Sequence, residues 1–228
     1  MSAVALASAF IIPGIVLAAA SGYSLFGDAT LVSPGFNSPT AAQIRSSSAA
    51  PGYGGIDFSI PAGLTVADLN KLSTDYQFTA GSCGGGAPRF QVIVTTPSGS
   101  KNISVYIGPP PNYTGCPQNI WSNTGNLLQP ASLVDATQLG GSFYEPYFQV
   151  QAAYGSYPVT GVQLVTDASW FFSGGAQTMQ ADNVMINDAT FTFESADSCK
   201  NGGWQSFTAA PGPFKNQGAC VSYFEHQK

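Results

Sequence analysis

Glycoside hydrolysis asks for two carboxylates facing each other across a groove, one to protonate the leaving oxygen and one to activate water or attack the sugar. Glu145 and Glu194 are the glutamates that could serve, with Asp57, Asp75, Asp167 and Asp182 as further acids. No ExDxxE cluster is present, so a pair would have to be built by facing strands rather than along one strand. Other catalytic chemistries fail on inventory. His226, two residues from the end, is the single histidine, and no GxSxG occurs, which removes a Ser-His-Asp triad. Gly84, Gly85 and Gly86 lack the Lys-Ser or Lys-Thr that a phosphate loop requires. Beside Cys83 they read as a sharp backbone turn.

Sugar recognition has different requirements: flat aromatics to cover the apolar face of a pyranose, and amides or carboxylates to engage its hydroxyls. The stretch GPPPNYTGCPQNIWSNTGN (108–126) supplies Tyr113, Trp121, Asn119 and Asn123, and Arg89 adds a fork of donors from a neighbouring segment. A second group is Trp170 with Phe171 and Phe172, beside Asp167 and before Ser173-Gly174-Gly175. Each large aromatic also has an ordinary use in core or loop packing. A hard cation would need oxygens converging from separate strands. Asn102-Ile103-Ser104 and Asn112-Tyr113-Thr114 are glycosylation sequons.

Strands must position these groups. GIDFSIP (55–61) alternates Ile56, Phe58 and Ile60 with polar residues, and FQVIVTT (90–96) and NISVYIG (102–108) are β-branched and aromatic runs bounded by Gly, Pro and Ser. YFQVQAAY (147–154), VTGVQLVTD (159–167), QTMQADNVMIN (177–187) and ATFTFE (189–194) read the same way, with Asn187-Asp188 as a tight turn. Only LTVADLNKLS (64–73) has helical spacing, capped by Thr65. Short strands, Gly- and Pro-rich loops and almost no helix predict an all-β fold: a two-sheet antiparallel β-sandwich of the jelly-roll kind, spanning 21–195.

Composition sets the setting. Charged residues are 8% of the 228, against ~25% in an average soluble domain. The net charge of −5 cannot neutralise a row of phosphates, which excludes nucleic acid as a partner. Ala3 to Ala20 is uncharged and apolar and ends in small residues, as a secretory signal does, although the first basic residue is Arg45. Residues 1–20 are therefore expected to be a signal peptide or an apolar anchor, with membrane contact only if the segment is not cleaved. Four widely spaced cysteines suit an oxidising compartment. Of the three possible pairings, Cys83 with Cys116 and Cys199 with Cys220 is preferred, because each then closes a loop with little regular structure. Residues 196–228 become a disulfide-closed extension whose Trp204, Phe207 and Phe214 pack on the sandwich and whose Val221 and Tyr223 alternate as a last strand would.

Several stretches resemble a known group. SCGGGAPRFQV, QLVTDASWFFSGGAQTMQADNVMIN and the tail CKNGGWQSF with FKNQGACVS are similar to secreted bacterial β-sandwich proteins, particularly of soil actinobacteria, that carry a C-terminal CKxGGWxxF…FKNQGxCVS element. The resemblance implies secretion and a β-sandwich, and no activity. The layout also resembles jelly-roll carbohydrate-binding modules, in which an N-terminal strand and a late Asp-containing strand share a calcium; that likeness implies one structural Ca2+ here, the single cofactor expected, shared by Asp28 and Asp182. Together these lead to a secreted or surface-associated, non-catalytic protein that binds a polysaccharide or cell-surface glycan. A structural surface protein without a small ligand and a secreted glycoside hydrolase are the rivals.

Overall fold

The computed structural model describes residues 22–84, 86–167 and 175–226. The expected signal segment and the Trp170 aromatic group lie outside them. In chain order the strands are β1 (Tyr23–Gly27), β2 (Ala29–Val32), β3 (Ala41–Ser47), β4 (Gly54–Phe58), β5 (Leu72–Ala80), β6 (Arg89–Thr96) and β7 (Gly99–Tyr106). They continue with the short β8 (Ser122–Asn123), β9 (Leu133–Val134) and β10 (Glu145–Pro146), then β11 (Val159–Thr166), β12 (Ala176–Ile186) and β13 (Ala189–Phe191).

Two antiparallel sheets face each other as a jelly-roll sandwich. One has the order β1-β4-β11-β6-β7 and the other β2-β3-β12-β5-β8, with β13 also paired to β12. The chain changes sheet between β3 and β4, again between β4 and β5 and between β5 and β6, so strands distant in sequence become neighbours. Period-two alternation aims Ile56, Phe58, Phe90, Val92, Ile103, Val162 and Leu164 inward from the first sheet. Ile44, Phe78, Met179, Ala181, Phe191 and Phe193 meet them from the second, and all are at least nine-tenths buried. Asn187, with φ of 51°, turns the β12–β13 hairpin as its sequence suggested.

Two segments depart from the sequence-based expectation. YFQVQAAY is not a strand but helix α1 (Tyr147–Tyr154). Tyr147, Val150, Gln151 and Tyr154 face inward while Phe148, Gln149, Ala152 and Ala153 are exposed, a period near 3.6 that the local alternation of apolar and polar letters hides. The Tyr147 hydroxyl donates to the Leu69 carbonyl at 2.6 Å. Leu64–Ser73 is a single turn in which the Thr65 hydroxyl donates to Asp68 at 2.6 Å, and Leu72 already begins β5.

The tail ends not in a strand but in helix α2 (Gln217–Glu225), capped by the Asn216 side chain, which accepts from the Ala219 amide at 2.9 Å. Both disulfides form with the expected pairing, Cys83–Cys116 and Cys199–Cys220. The tail aromatics pack mainly on one another: Phe207 meets Phe214 at 5.1 Å and Phe224 at 5.5 Å, in a small core of their own around the second disulfide. The tail is tied to the body through one loop, where Thr208 N–H donates to the Asn37 carbonyl at 3.0 Å and the Thr40 and Ser198 hydroxyls meet at 3.3 Å. Among the described residues no helix is long and apolar enough to cross a membrane.

Candidate functional site

The outward face of the five-stranded sheet carries two cross-strand rows. The register aligns Ser24, Asp57, Gln163, Gln91 and Ser104 in one, and Phe26, Gly55, Val165, Arg89 and Tyr106 in the next. Side chains opposite one another in an antiparallel sheet lie ~5 Å apart, so each row is a line of touching groups. The first row is a hydrogen-bonded ladder. The Gln163 amide donates to the Asp57 carboxylate, and its carbonyl accepts from Gln91 Nε2 at 3.0 Å. Gln91 Oε1 in turn accepts from Arg89 Nε and Nη2 at 3.1 and 2.8 Å. Arg89 Nη1 completes the chain with bonds of 2.6 Å to both the Asp167 carboxylate and the Gly86 carbonyl.

A cavity of about 170 Å3 opens where the two rows meet, lined by Phe26, Tyr53, Arg89, Gln91, Gln163 and Asp167 among others. Gly55 lets Phe26 lie against the sheet as one wall of it, since a Cβ there would stand 2.3 Å from the Phe26 ring. Tyr53 remains 45% exposed, with its ring 6.5 Å from that of Phe26. The result is a bare aromatic edge beside a preset fan of amides, a guanidinium and carboxylates.

A larger groove of about 620 Å3 lies between the edge strands β7 and β8, under the loop that follows β7. Tyr76, Tyr106, Tyr113, Asn123 and Gln129 are among its lining residues. The Cys83–Cys116 bridge pins that loop. Tyr113 stacks on Tyr144 at 6.0 Å and sits 4.6 Å from Tyr106, whose hydroxyl donates to Asp135 at 3.0 Å. Burial, then Tyr144 and Asp135, push the Tyr113 hydroxyl up to about 12. Tyr106 lines the groove and stands opposite Arg89 of the sheet-face cavity in register.

The sequence-predicted binding residues therefore divide. Arg89 and Asp167 meet on the sheet face, Tyr113 and Asn123 line the groove, and Trp170 lies outside the described residues. Trp121 instead packs 5.6 Å from Phe36, and Asn119 forms a left-handed turn whose amide donates to the Phe78 carbonyl. Phe26, Tyr53, Gln91 and Gln163 escaped notice in the sequence. Only strand register, which single-strand patterns do not carry, sets them side by side.

The acids do not form a facing catalytic pair from Glu145 and Glu194. Glu145 is held by the Ser142 amide and hydroxyl at 2.9 and 2.7 Å, which lower its pKa. Glu194 instead lies beside Asp182, where burial raises both carboxyls and each raises the cost of ionising the pair. Asp75 accepts from Asn123 and Asn183 at 2.8 and 3.0 Å. The expected Asp28–Asp182 cation site is also not assembled. Asp28 sits opposite Arg45, 3.9 Å from its guanidinium, whereas Asp182 follows the residue paired with Ala42, four positions along β3 or about 13 Å at the usual strand rise. Among the described residues no group of three or more His, Cys, Asp or Glu side chains converges. Asp182, fully buried, accepts from the Phe36 amide, the Ser38 hydroxyl and the Asn183 amide at 2.8–2.9 Å. One oxygen of Glu194 is buried with no hydrogen-bond partner among the described residues, an orphan that fits a hard cation's need for oxygen donors.

No protein-family model matches the chain, and no curated protein matches it. Among solved structures, the chain is similar to the family 11 carbohydrate-binding module of the cellulosomal cellulase Lic26A-Cel5E of Clostridium thermocellum, with 13% identity and a TM-score of 0.43 over 73% of this chain and 88% of that one. The solution structure of CtCBM11 aligns at 14% identity and a TM-score of 0.36, over 77% and 87%. The xyloglucanase domain of NopAA from Sinorhizobium fredii, solved with cellobiose, aligns at 14% and 0.33, over 74% and 93%. With scores this low, what this chain binds has to be judged from its own residues.

Proposed function

We propose that this is a secreted or surface-associated carbohydrate-binding β-sandwich protein, non-catalytic, that engages a polysaccharide or cell-surface glycan on the outward face of its five-stranded sheet. The ladder from Asp57 through Gln163, Gln91 and Arg89 to Asp167 carries this reading. Its groups are held by one another and by the sheet, so little ordering entropy opposes binding. Tyr53 and Phe26 offer the apolar face of a sugar ring a surface, while the amides and carboxylates offer its hydroxyls both donors and acceptors. The cavity is of a size for one sugar ring, with the remaining ring positions of a chain lying along the sheet. Trp170 stays a candidate for contacts farther along that chain, and Trp121 and Asn119, beside β8 of the other sheet, for sugar contacts away from it.

One structural Ca2+ would be held by Asp182 and Glu194 with the Ser38 hydroxyl, rather than by Asp28 and Asp182. When bound it would neutralise two buried carboxyls. Glycan-array binding tests the function: Tyr53→Ala and Arg89→Ala are each expected to remove the signal of a subset of the glycans bound by the parent, a subset that Trp121→Ala keeps. A protein that binds no glycan on such an array would overturn the reading.

A further inference from the structure

We infer that the groove between β7 and β8 is a second, independent binding site, and that it takes an uncharged oligosaccharide. It goes beyond the sheet-face reading, because it concerns a different cavity with a different lining. Among the described residues no Asp, Glu, Lys, Arg or His lines it. Its wall instead alternates the rings of Tyr76, Tyr106 and Tyr113 with the amides of Asn123 and Gln129 and the hydroxyl of Ser132. An anionic or cationic ligand would leave its charge without a partner there, at a heavy desolvation cost. A polyol whose rings have apolar faces meets both kinds of group.

Two further observations point to a ligand. Tyr113 is more than nine-tenths buried and its hydroxyl has no hydrogen-bond partner among the described residues, a costly arrangement that a ligand hydroxyl or a water carried with it relieves. Among the described residues the side chains of Gln129 and Ser132 make no hydrogen bond, so their donors and acceptors are open to a ligand, whereas Asn126 is occupied by Leu72, Leu128 and Asn70, and Asn123 by Asp75 and the Gly125 amide. The groove is also preformed. Cys83–Cys116 fixes the base of the overlying loop, Gly108 lies against Cys83 Sγ, and the Tyr144 hydroxyl holds the Pro111 carbonyl at 2.7 Å. Its volume falls within the range of ordinary ligand sites, roughly 300–1,000 Å3.

The test is calorimetry and NMR titration of the whole protein with neutral hexasaccharides of glucose, xylose, mannose and galactose, against a polygalacturonate hexamer of similar length. Neutral hexasaccharides are expected to perturb Tyr113, Asn123 and Gln129, and the acidic one to leave them unchanged. Tyr113→Phe removes the orphan hydroxyl, so it melts no lower than the parent, yet it binds about fivefold more weakly, the equivalent of ~1 kcal/mol for one neutral hydrogen bond. Gln129→Ala, at an exposed position, shifts affinity the same way without touching the fold. Arg89→Ala leaves groove binding in place, which separates this site from the sheet face. Equal binding of the acidic hexamer, no binding of any neutral one, or parental affinity in both groove variants would each overturn the inference. Loss of all binding in Arg89→Ala alone would also overturn it, while leaving the sheet face intact.

Discussion

Asp182 and Glu194 lie side by side, two buried carboxyls beneath a surface loop whose Ser38 hydroxyl donates to Asp182 at 2.9 Å. Burial is the larger cause of the Asp182 shift and the neighbouring Glu194 the second, and together they push it up to about 8. The folded protein thus holds a proton that the unfolded chain, with ordinary carboxyls near pH ~4, gives up. The stability this contributes is fully present below that unfolded value and is lost as pH rises toward about 8. Denaturant titrations in chelator should show unfolding free energy declining across that window by up to ~1.4 kcal/mol per pH unit. Asp182→Asn should flatten the decline, and an unchanged slope would refute the account.

The same pair makes the cation testable by a physical readout. Saturating Ca2+, at a hundred times its dissociation constant, would add about 2.7 kcal/mol and raise the melting temperature. Glu194→Gln should remove that increment while Asp28→Asn keeps it. If calcium and EDTA give the same melting curve, a proton alone neutralises the pair.

Gly55 lets Phe26 lie over the sheet. A Cβ there meets the Phe26 ring at 2.3 Å and the Val165 side chain at 2.9 Å. Gly55→Ala is expected to swing Phe26 out of the sheet-face cavity and weaken glycan binding at least tenfold, with the circular-dichroism spectrum unaltered. Undiminished binding would show that Phe26 takes no part.

The tail has its own small core, so its bridge should stabilise it locally. Replacing Cys199 and Cys220 by Ser opens a loop of sequence separation 21. On the chain-entropy view this removes ~3 kcal/mol from the tail. Hydrogen exchange should report early opening of residues 196–226, with strands β4, β6 and β11 protected as before. Simultaneous loss of protection in both would show that tail and body unfold as one.

Much of this architecture was legible because it is written in period-two alternation. β4, β6, β7, β11 and β12 stand where Val, Ile, Phe and Tyr alternate with polar letters, and the cysteine pairing followed from which loops most needed closing. Short helices were not legible. Within α1 the letters Phe148-Gln149-Val150-Gln151 imitate a strand, and only the burial of Tyr147 on the Leu69 carbonyl decides the matter. α2 was hidden in the same way, its Val221 and Phe224 serving a local cluster rather than a sheet. The site was half visible. Arg89 and Asp167 were found as residue types, whereas Gln91, Gln163 and Tyr53 acquire meaning only when register sets them in a row. The metal pair failed for a related reason: Glu194 reaches Asp182 through the turn after β13, and no spacing rule relates them.

The loop around residues 36–40 works as a keystone. Its Phe36 amide and Ser38 hydroxyl cap Asp182 from above, and its Asn37 and Thr40 clasp Thr208 and Ser198 of the tail. One cut by a protease between Phe36 and Thr40 would therefore do two things at once: let water onto the buried acids and release the cystine-bound end of the chain from its mooring.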